Sequence, residues 1–306
     1  GSGNFIDQGG TSRTWKGMAA APDGDIYASA ANGDIYKRSQ GEGDFIALSQ
    51  TTRNWWGMTA SPNGYIYTSV NNDSIYKQPG DFISMSQATR YWISMACTSN
   101  DDLYAVTSND GIYKQSGATA DFVKISGVTE LSWRGITVSS NDDVYASVYN
   151  GDIYKQSGAT GSFAPLGGTD RYWMEMDSSS DGDVYAVVTN GGDIYKQSGG
   201  SGEFVAQGET AKNYRGLIIT PEKYVYASEM LGKIYQKPGN FEPLGGTTRV
   251  WRDMWASPNG DIYACVDNDY IYKQSGGSGA FVAWSGATKR WHKQFLQNLL
   301  SYLAKL

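Results

Sequence analysis

The sequence has few of the residues on which most enzymes and metal proteins depend. Its 306 residues include one His and two Cys, too few for a zinc ligand set, a Ser-His-Asp triad or a disulfide framework. No P-loop, G-x-S-x-G or H-E-x-x-H motif occurs. We therefore expect no metal, no cofactor and no catalytic residues, and a protein that is not an enzyme. A pair of carboxylates needs no motif, so carboxylate-based hydrolysis stays open at this point.

Basic residues and long hydrophobic runs are also scarce. Lys and Arg number 25 against 31 Asp and Glu, giving a formal net charge of −6. A nucleic-acid-binding protein needs a basic surface, so we expect no nucleic-acid partner. No apolar run approaches the length of about 18 residues that a membrane-spanning helix requires, so we expect no transmembrane segment. In contrast, aromatic residues make up 13% of the chain, which argues against disorder.

An internal repeat dominates the chain. Aromatic residues recur 37 to 41 residues apart, seven of them Trp, and the segment Ile-Tyr-Lys-Gln or a close variant occurs seven times. Each unit holds four short runs in which apolar residues alternate with small or polar ones, and Pro-Asp-Gly and Asn-Gly turns separate them. Period two predicts strands, and Asn-Gly predicts tight hairpins.

Four antiparallel strands repeated seven times at about 40 residues predict an all-β fold, a seven-bladed β-propeller of four-stranded antiparallel blades over residues 1–286. An open β-solenoid is the alternative. The fourth strand occurs in eight copies, at residues 4–8 and again at 280–284 at the two ends. We favour an arrangement in which the N-terminal copy completes the last blade.

The loops between units carry the best candidates for a ligand site. A cation precedes the repeated aromatic by two residues in six units, whereas the fourth unit has its Arg after Trp133. Aromatic faces can pack on sugars, and Arg can bind hydroxyls or carboxylates. Alternatively, the Trp packs between blades and the Arg caps carbonyls or lies over a ring. The candidate ligand-binding residues are Arg13, Trp15, Arg53, Trp55, Arg90, Trp92, Trp133, Arg171, Trp173, Lys212, Tyr214, Arg249 and Trp251.

The last 20 residues, 287–306, follow a different pattern. Apolar residues spaced by three and four, together with basic ones, predict a C-terminal amphipathic α-helix. Such a helix could lie on its own propeller, associate with itself or a protein partner, or lie on a membrane surface; we favour the protein contact. Its predicted partner-binding residues are Trp291, Phe295, Leu296, Leu299, Leu300, Leu303 and Leu306.

The unit resembles the repeats of tectonin and tachylectin-type propellers. The likeness rests on the paired Gly-Asp-Ile-Tyr and Asn-Gly-Asp-Ile-Tyr-Lys strands, followed by a short aromatic strand and Gly. The units are also similar to modules of phage tail and bacterial surface proteins. The resemblance implies a non-enzymatic, multivalent, lectin-like protein that binds glycans, located outside the cell or on a virion and tethered by its C-terminal helix. The alternative is a structural scaffold, in a virion or of designed origin, with no glycan ligand.

Overall fold

The alternating runs form strands in the computed structural model, which describes residues 6–7, 12–117, 120–237, 242–243 and 248–275. The first three units contribute these strands, preceded by a short N-terminal one: β1 (Ile6–Asp7), β2 (Trp15–Ala20), β3 (Ile26–Ala30), β4 (Ile35–Arg38), β5 (Ile46–Ala47), β6 (Trp55–Ala60), β7 (Ile66–Val70), β8 (Ile75–Gln78), β9 (Ile83–Ser84), β10 (Trp92–Cys97), β11 (Leu103–Thr107), β12 (Ile112–Gln115) and β13 (Val123–Lys124).

The remaining strands repeat the same order. They are β14 (Trp133–Val138), β15 (Val144–Gly151), β16 (Ile153–Gln156), β17 (Ala164–Pro165), β18 (Arg171–Ser178), β19 (Val184–Val188), β20 (Ile194–Gln197), β21 (Val205–Ala206), β22 (Tyr214–Ile219), β23 (Val225–Gly232), β24 (Ile234–Lys237), β25 (Glu242–Pro243), β26 (Arg249–Ala256), β27 (Ile262–Val266) and β28 (Ile271–Gln274). Two 3₁₀ turns, Ser39–Gly41 and Ser157–Ala159, follow third strands.

The predicted count of seven separate four-stranded blades is wrong, because hydrogen bonds join the described strands into five sheets. Three sheets have four strands each: β2–β5, β6–β9 and β10–β13. Two have eight: β14–β21, and β22–β28 with β1. The long strands β15 and β23 cause this merging. Each runs past its own unit and pairs with the first strand of the next unit, through Tyr149 with Tyr172 and through Met230 with Val250.

The first and last units meet, so the sheets form a closed propeller. Strand β1 pairs antiparallel with β28, which confirms that the N-terminal copy of the fourth strand completes the last sheet. The first strands of successive units pack side by side, and β26 packs in turn against β2. The backbone N–H of Arg13 also donates to the carbonyl of Asp269 at 3.1 Å. Because the ring closes, no terminal repeat leaves an apolar face uncovered.

The apolar core lies between neighbouring units. One cluster combines Tyr27 and Ile35 of the first unit with Trp55 and Ile66 of the second. Another joins Trp15 to residues of the last unit, across the point of closure. Each sheet therefore buries its two faces against its neighbours, and the first strands are left around the central axis.

The predicted C-terminal helix and the boundary between residues 1–286 and 287–306 lie outside the described residues. The described ranges contain strands, turns and two 3₁₀ turns, and no α-helix, so the fold class is corrected to an all-β propeller. Within those ranges no helix is long and apolar enough to cross a membrane. No group of three or more His, Cys, Asp or Glu is placed to hold a metal there.

Candidate functional site

The repeated aromatic residues of the interunit loops are buried. Trp15, Trp55, Trp92, Trp133, Trp173, Tyr214 and Trp251 are each at most 4% exposed. Each packs edge-on against the Tyr of its own third strand, as Trp55 does against Tyr76 with ring centroids 5.1 Å apart. The indole N–H of Trp55 donates to the carbonyl of Gly33 in the preceding unit at 3.1 Å. The ring thus fastens one unit to the next, and a ligand at this rim would meet the cation rather than the indole.

The rim cations lie over the same tyrosines. The distance from cation to ring centroid is 4.4–4.9 Å for Arg13, Arg53, Arg90, Arg171, Lys212 and Arg249 over Tyr36, Tyr76, Tyr113, Tyr195, Tyr235 and Tyr272. Three of them also pair with a carboxylate, Arg53 with Asp73, Arg90 with Asp110 and Arg249 with Asp269. All six are partly exposed. Ligand binding by this rim stays a prediction, and the predicted partner-binding residues of the tail lie outside the described residues.

Asp110 accepts several side-chain hydrogen bonds within one of these rim clusters. Burial alone would raise the pKa of Asp110, but hydrogen bonds from Lys124, Tyr113 and Arg90 outweigh it and hold that pKa at about 2. The Arg90 Nε–Asp110 distance is 2.7 Å. The rim cations are therefore engaged in packing and pairing within their own units.

The first strands enclose a central cavity of about 770 Å³, a size that suits a small ligand. The residue after each rim aromatic lines one end of this cavity, which we call the mouth. These seven partly buried residues are Lys16, Trp56, Ile93, Arg134, Met174, Arg215 and Arg252. The units differ most from one another here, although their rim and strand residues are nearly alike.

The four cations of the mouth have different partners. Asp267 pairs with both Lys16, at 3.5 Å, and Arg252. In the part of the chain that the structure describes, neither Arg134 nor Arg215 forms a salt bridge. Arg134 lies 5.1 Å from the Tyr149 ring, and Arg215 donates from Nη1 to the Met230 sulfur at 3.5 Å.

The charges of the mouth also repel one another. Burial, followed by the positive charge of Arg252, lowers the pKa of Arg215. The same two causes, in the same order, lower the pKa of Lys16. An anion bound in the mouth would reduce this repulsion, because it would give the arginines a negatively charged partner.

Three carboxylates line the cavity further along the strands. Asp177 accepts hydrogen bonds from the backbone N–H groups of Ser178 and Ile219, at 2.8 and 2.7 Å. Asp253 accepts from those of Met254 and Met18, at 2.9 and 3.0 Å. Burial raises the pKa of Asp177 to about 7 and that of Asp253 to about 6.

Glu175 has the most strongly shifted of these carboxyl groups. Burial and then the negative charge of Asp253 raise its pKa well above the usual value. Glu175 and Asp253 also break the repeat, because the same position in four other units is Gly17, Gly57, Gly135 or Gly216. A Cβ on Gly17 would lie 2.4 Å from the carbonyl oxygen of Trp56 in the next unit. Glycine at this position allows neighbouring first strands to pack closely. An acidic residue at the same position is therefore not explained by the packing of the repeat.

The residues that line the mouth of the cavity were not predicted from the sequence. The signal was present: aligned on the rim aromatic, the next residue varies among basic, aromatic and aliphatic types while its neighbours barely change. The regular spacing of the aromatic favours the rim as the site, whereas the variable position beside it carries no motif. The structure shows that the variable position, and not the repeated one, faces the cavity.

Comparison with known proteins supports the fold alone. No family model and no curated protein matches the sequence. Among solved structures, a streptogramin B lyase has a TM-score of 0.73 at 14% identity, over 88% of this chain and 96% of its own. The WD40 β-propeller domain of Doa1 has a TM-score of 0.73 at 9% identity, over 89% and 96%. The extracellular domain of a putative one-component system from B. thetaiotaomicron has a TM-score of 0.71 at 11% identity, over 89% and 40%.

The neighbours correct the expectation that the protein is not an enzyme. A lyase is built on this propeller fold, so the absence of familiar motifs does not exclude catalysis. At 9–14% identity the likeness carries no activity across to this chain. The propeller repeat is thus established, whereas the tectonin-like identity rests on the sequence resemblance alone.

Proposed function

We propose that the protein recognises an anionic ligand in its central cavity, with Arg134 and Arg215 as the main anion-binding residues. One observation carries the proposal: two guanidinium groups line the central cavity without a salt bridge to any described carboxylate. Arg remains charged at any physiological pH, and its planar group binds carboxylate or phosphate through two parallel hydrogen bonds.

Lys16 and Arg252 have a supporting role in this proposal. They share Asp267, so one of their two positive charges is balanced before a ligand arrives. Arg252 still contributes through its field, since it lowers the pKa of Arg215. The proposed site therefore lies on the side of the mouth formed by the fourth and sixth units.

The proposal is tested by titrating the protein with inorganic phosphate and with acetate by isothermal calorimetry. Replacing Arg134 and Arg215 together with Gln should weaken binding at least about tenfold, which is about 1.4 kcal/mol. Arg90→Gln is the matched control, because it removes a rim guanidinium and leaves the cavity intact. No binding by the wild-type protein, or an equal loss in the control, would overturn the proposal.

A second candidate function is multivalent, lectin-like glycan binding at the rim, in an extracellular or virion-associated protein. Six partly exposed cations at equivalent positions favour it, because equal weak sites gain strength together. One neighbour is an extracellular domain, which is consistent with this location. The proposed tether is the tail, through a protein partner or self-association.

A glycan array tests this second candidate, with the wild-type protein compared with Arg53→Ala and with Arg134→Gln. A polyvalent glycan that binds the wild type, is lost in the Arg53 variant and is retained in the Arg134 variant supports the rim. No glycan bound, together with a protein partner captured by residues 287–306, would favour the scaffold function instead.

A further inference from the structure

Two aromatic residues lie next to Arg134, beside the residues that line the cavity. Tyr149 of β15 is paired with Tyr172 of β18. Their ring centroids are 5.0 Å apart at an interplanar angle of 56°. The Arg134 guanidinium lies over Tyr149 at 5.1 Å, and Tyr172 is 38% exposed. An unpaired cation thus stands beside an accessible aromatic edge.

Other units lack this arrangement. The positions equivalent to Tyr172 are Thr14, Asn54, Tyr91, Ser132, Asn213 and Val250. Tyr91 is the one other aromatic residue among them, and its second-strand counterpart is Ser108, whose N–H donates to the Tyr91 carbonyl. The Arg134–Tyr149–Tyr172 group is therefore a local feature of the fourth and fifth units and not a product of the repeat.

Acidic residues also line the cavity. Glu175 and Asp253 each follow a mouth residue by one position and line the same cavity. A simple anion drawn to Arg134 and Arg215 would be repelled by these groups when they are ionised. A ligand with hydroxyl groups next to its acidic group would satisfy both, because hydroxyls donate strong hydrogen bonds to carboxylates.

We propose that the ligand is a carboxylated sugar. Its carboxylate binds Arg134 and Arg215, its hydroxyls donate to Glu175 and Asp253, and its C–H face packs on Tyr172. This inference rests on the proposed function and names its ligand class. A flat aromatic acid could also contact Tyr172, but it has no hydroxyl groups to donate to Glu175 and Asp253.

The test compares four probes on the wild-type protein by calorimetry: glucuronate, glucose, acetate and benzoate. We expect glucuronate to bind at least about tenfold more tightly than acetate, since several new hydrogen bonds and a ring contact are added. Glucose should not bind measurably, because it lacks the acidic group. Equal binding of glucuronate and acetate would overturn the sugar inference but leave the anion site standing.

Two further outcomes are decisive. If benzoate bound more tightly than glucuronate, the sugar inference would be overturned and the ligand class would be an aromatic acid. Absence of binding by glucuronate, acetate, benzoate and inorganic phosphate alike would overturn the proposed function itself.

Variants locate the contacts. Tyr172→Ala should weaken glucuronate at least about threefold and leave acetate unchanged, because only the sugar reaches the ring. Tyr91→Ala is the matched control, with an equivalent backbone position and 53% exposure, and should alter neither. An equal loss in both Tyr variants would contradict the proposed ring contact.

Glu175→Gln separates a sugar acceptor from a simple charge effect. At a pH above the raised pKa of Glu175 the substitution removes one negative charge, so acetate should bind more tightly, while the preference for glucuronate over acetate should fall. A variant in which both affinities rise equally would show that Glu175 acts through its field alone and accepts no hydroxyl. Melting curves establish that each variant is folded.

Discussion

In every unit the rim aromatic is followed directly by residues that line the cavity, which we call the wall. The rim residue is nearly the same in all units, whereas the wall residues differ between units. At the rim, the same aromatic residue is buried against the same Tyr in unit after unit. One residue later, at the mouth, the side chain changes from Lys to Trp, Ile, Arg or Met. Packing between equal units selects equal residues, whereas a residue that lines the cavity is not bound by that requirement.

In a repeat protein, positions that differ between units are informative about function. A residue that recurs in every unit meets a requirement that every unit shares, which here is contact with the next unit. A residue that departs from the repeat at a position facing a common cavity has no such explanation. Glu175, in place of the usual Gly, is the clearest instance.

Trp55 and Trp56 give the largest expected contrast. Trp55 is 1% exposed and packs between units, so Trp55→Ala should lower the free energy of unfolding by about 3–5 kcal/mol. Trp56 is partly exposed to the cavity, so Trp56→Ala should cost below about 1 kcal/mol. Chemical denaturation measures both. Similar costs would show that the rim and the wall are not separate structural layers.

A smaller contrast is expected within the rim. Arg90 pairs with Asp110 at 2.7 Å and lies over Tyr113, and Arg90→Ala should cost about 1 kcal/mol of stability. Among the described residues Arg171 has its ring contact with Tyr195 and no salt bridge, and Arg171→Ala should cost about 0.5 kcal/mol.

Salt separates the two contributions in these rim variants. In 1 M NaCl the difference between Arg90→Ala and Arg171→Ala should shrink, because salt screens the ion pair more than the short-range ring contact. A difference that persists at high salt would place the effect in packing and not in charge.

Local structure could be predicted from the sequence because each strand and turn carries its own signal. Alternation located Ile35–Arg38 and its six counterparts. At the Asn32-Gly33 turn the positive φ falls on Asn32, at 51°. Burial of the rim Trp was one of two interpretations that the spacing allowed, since aromatic rings serve packing and ligands equally well.

The number of sheets and the cavity could not be predicted in the same way. Whether β15 stops at its own unit or continues to pair with β18 depends on a few residues near Tyr149 that carry no distinct pattern. Which side of a first strand faces the axis depends on how the units pack around the ring. The sequence of a single unit does not determine how the units pack around the ring.

A last contrast concerns protonation of a carboxyl group that lines the cavity. Burial and the charge of Asp253 raise the pKa of Glu175, so the folded protein keeps a proton that the unfolded chain releases above about pH 4.3. Stability is therefore lost as the pH rises from that value through the folded pKa. Gln carries no such proton, so Glu175→Gln should melt with the wild type near pH 4 and at a higher temperature at pH 8.

Asp181→Asn is the control for this prediction, with the opposite sign. A hydrogen bond from Lys223 lowers the pKa of Asp181 to about 2 at the protein surface. Its stabilising effect is present above the unfolded pKa and is lost as the pH falls through about 2, so Asp181→Asn should melt slightly below the wild type at pH 8 and with it near pH 2. If Glu175→Gln also melts below the wild type at pH 8, the carboxylate is stabilised by its surroundings, and the wall is then built for packing in the same way as the rim.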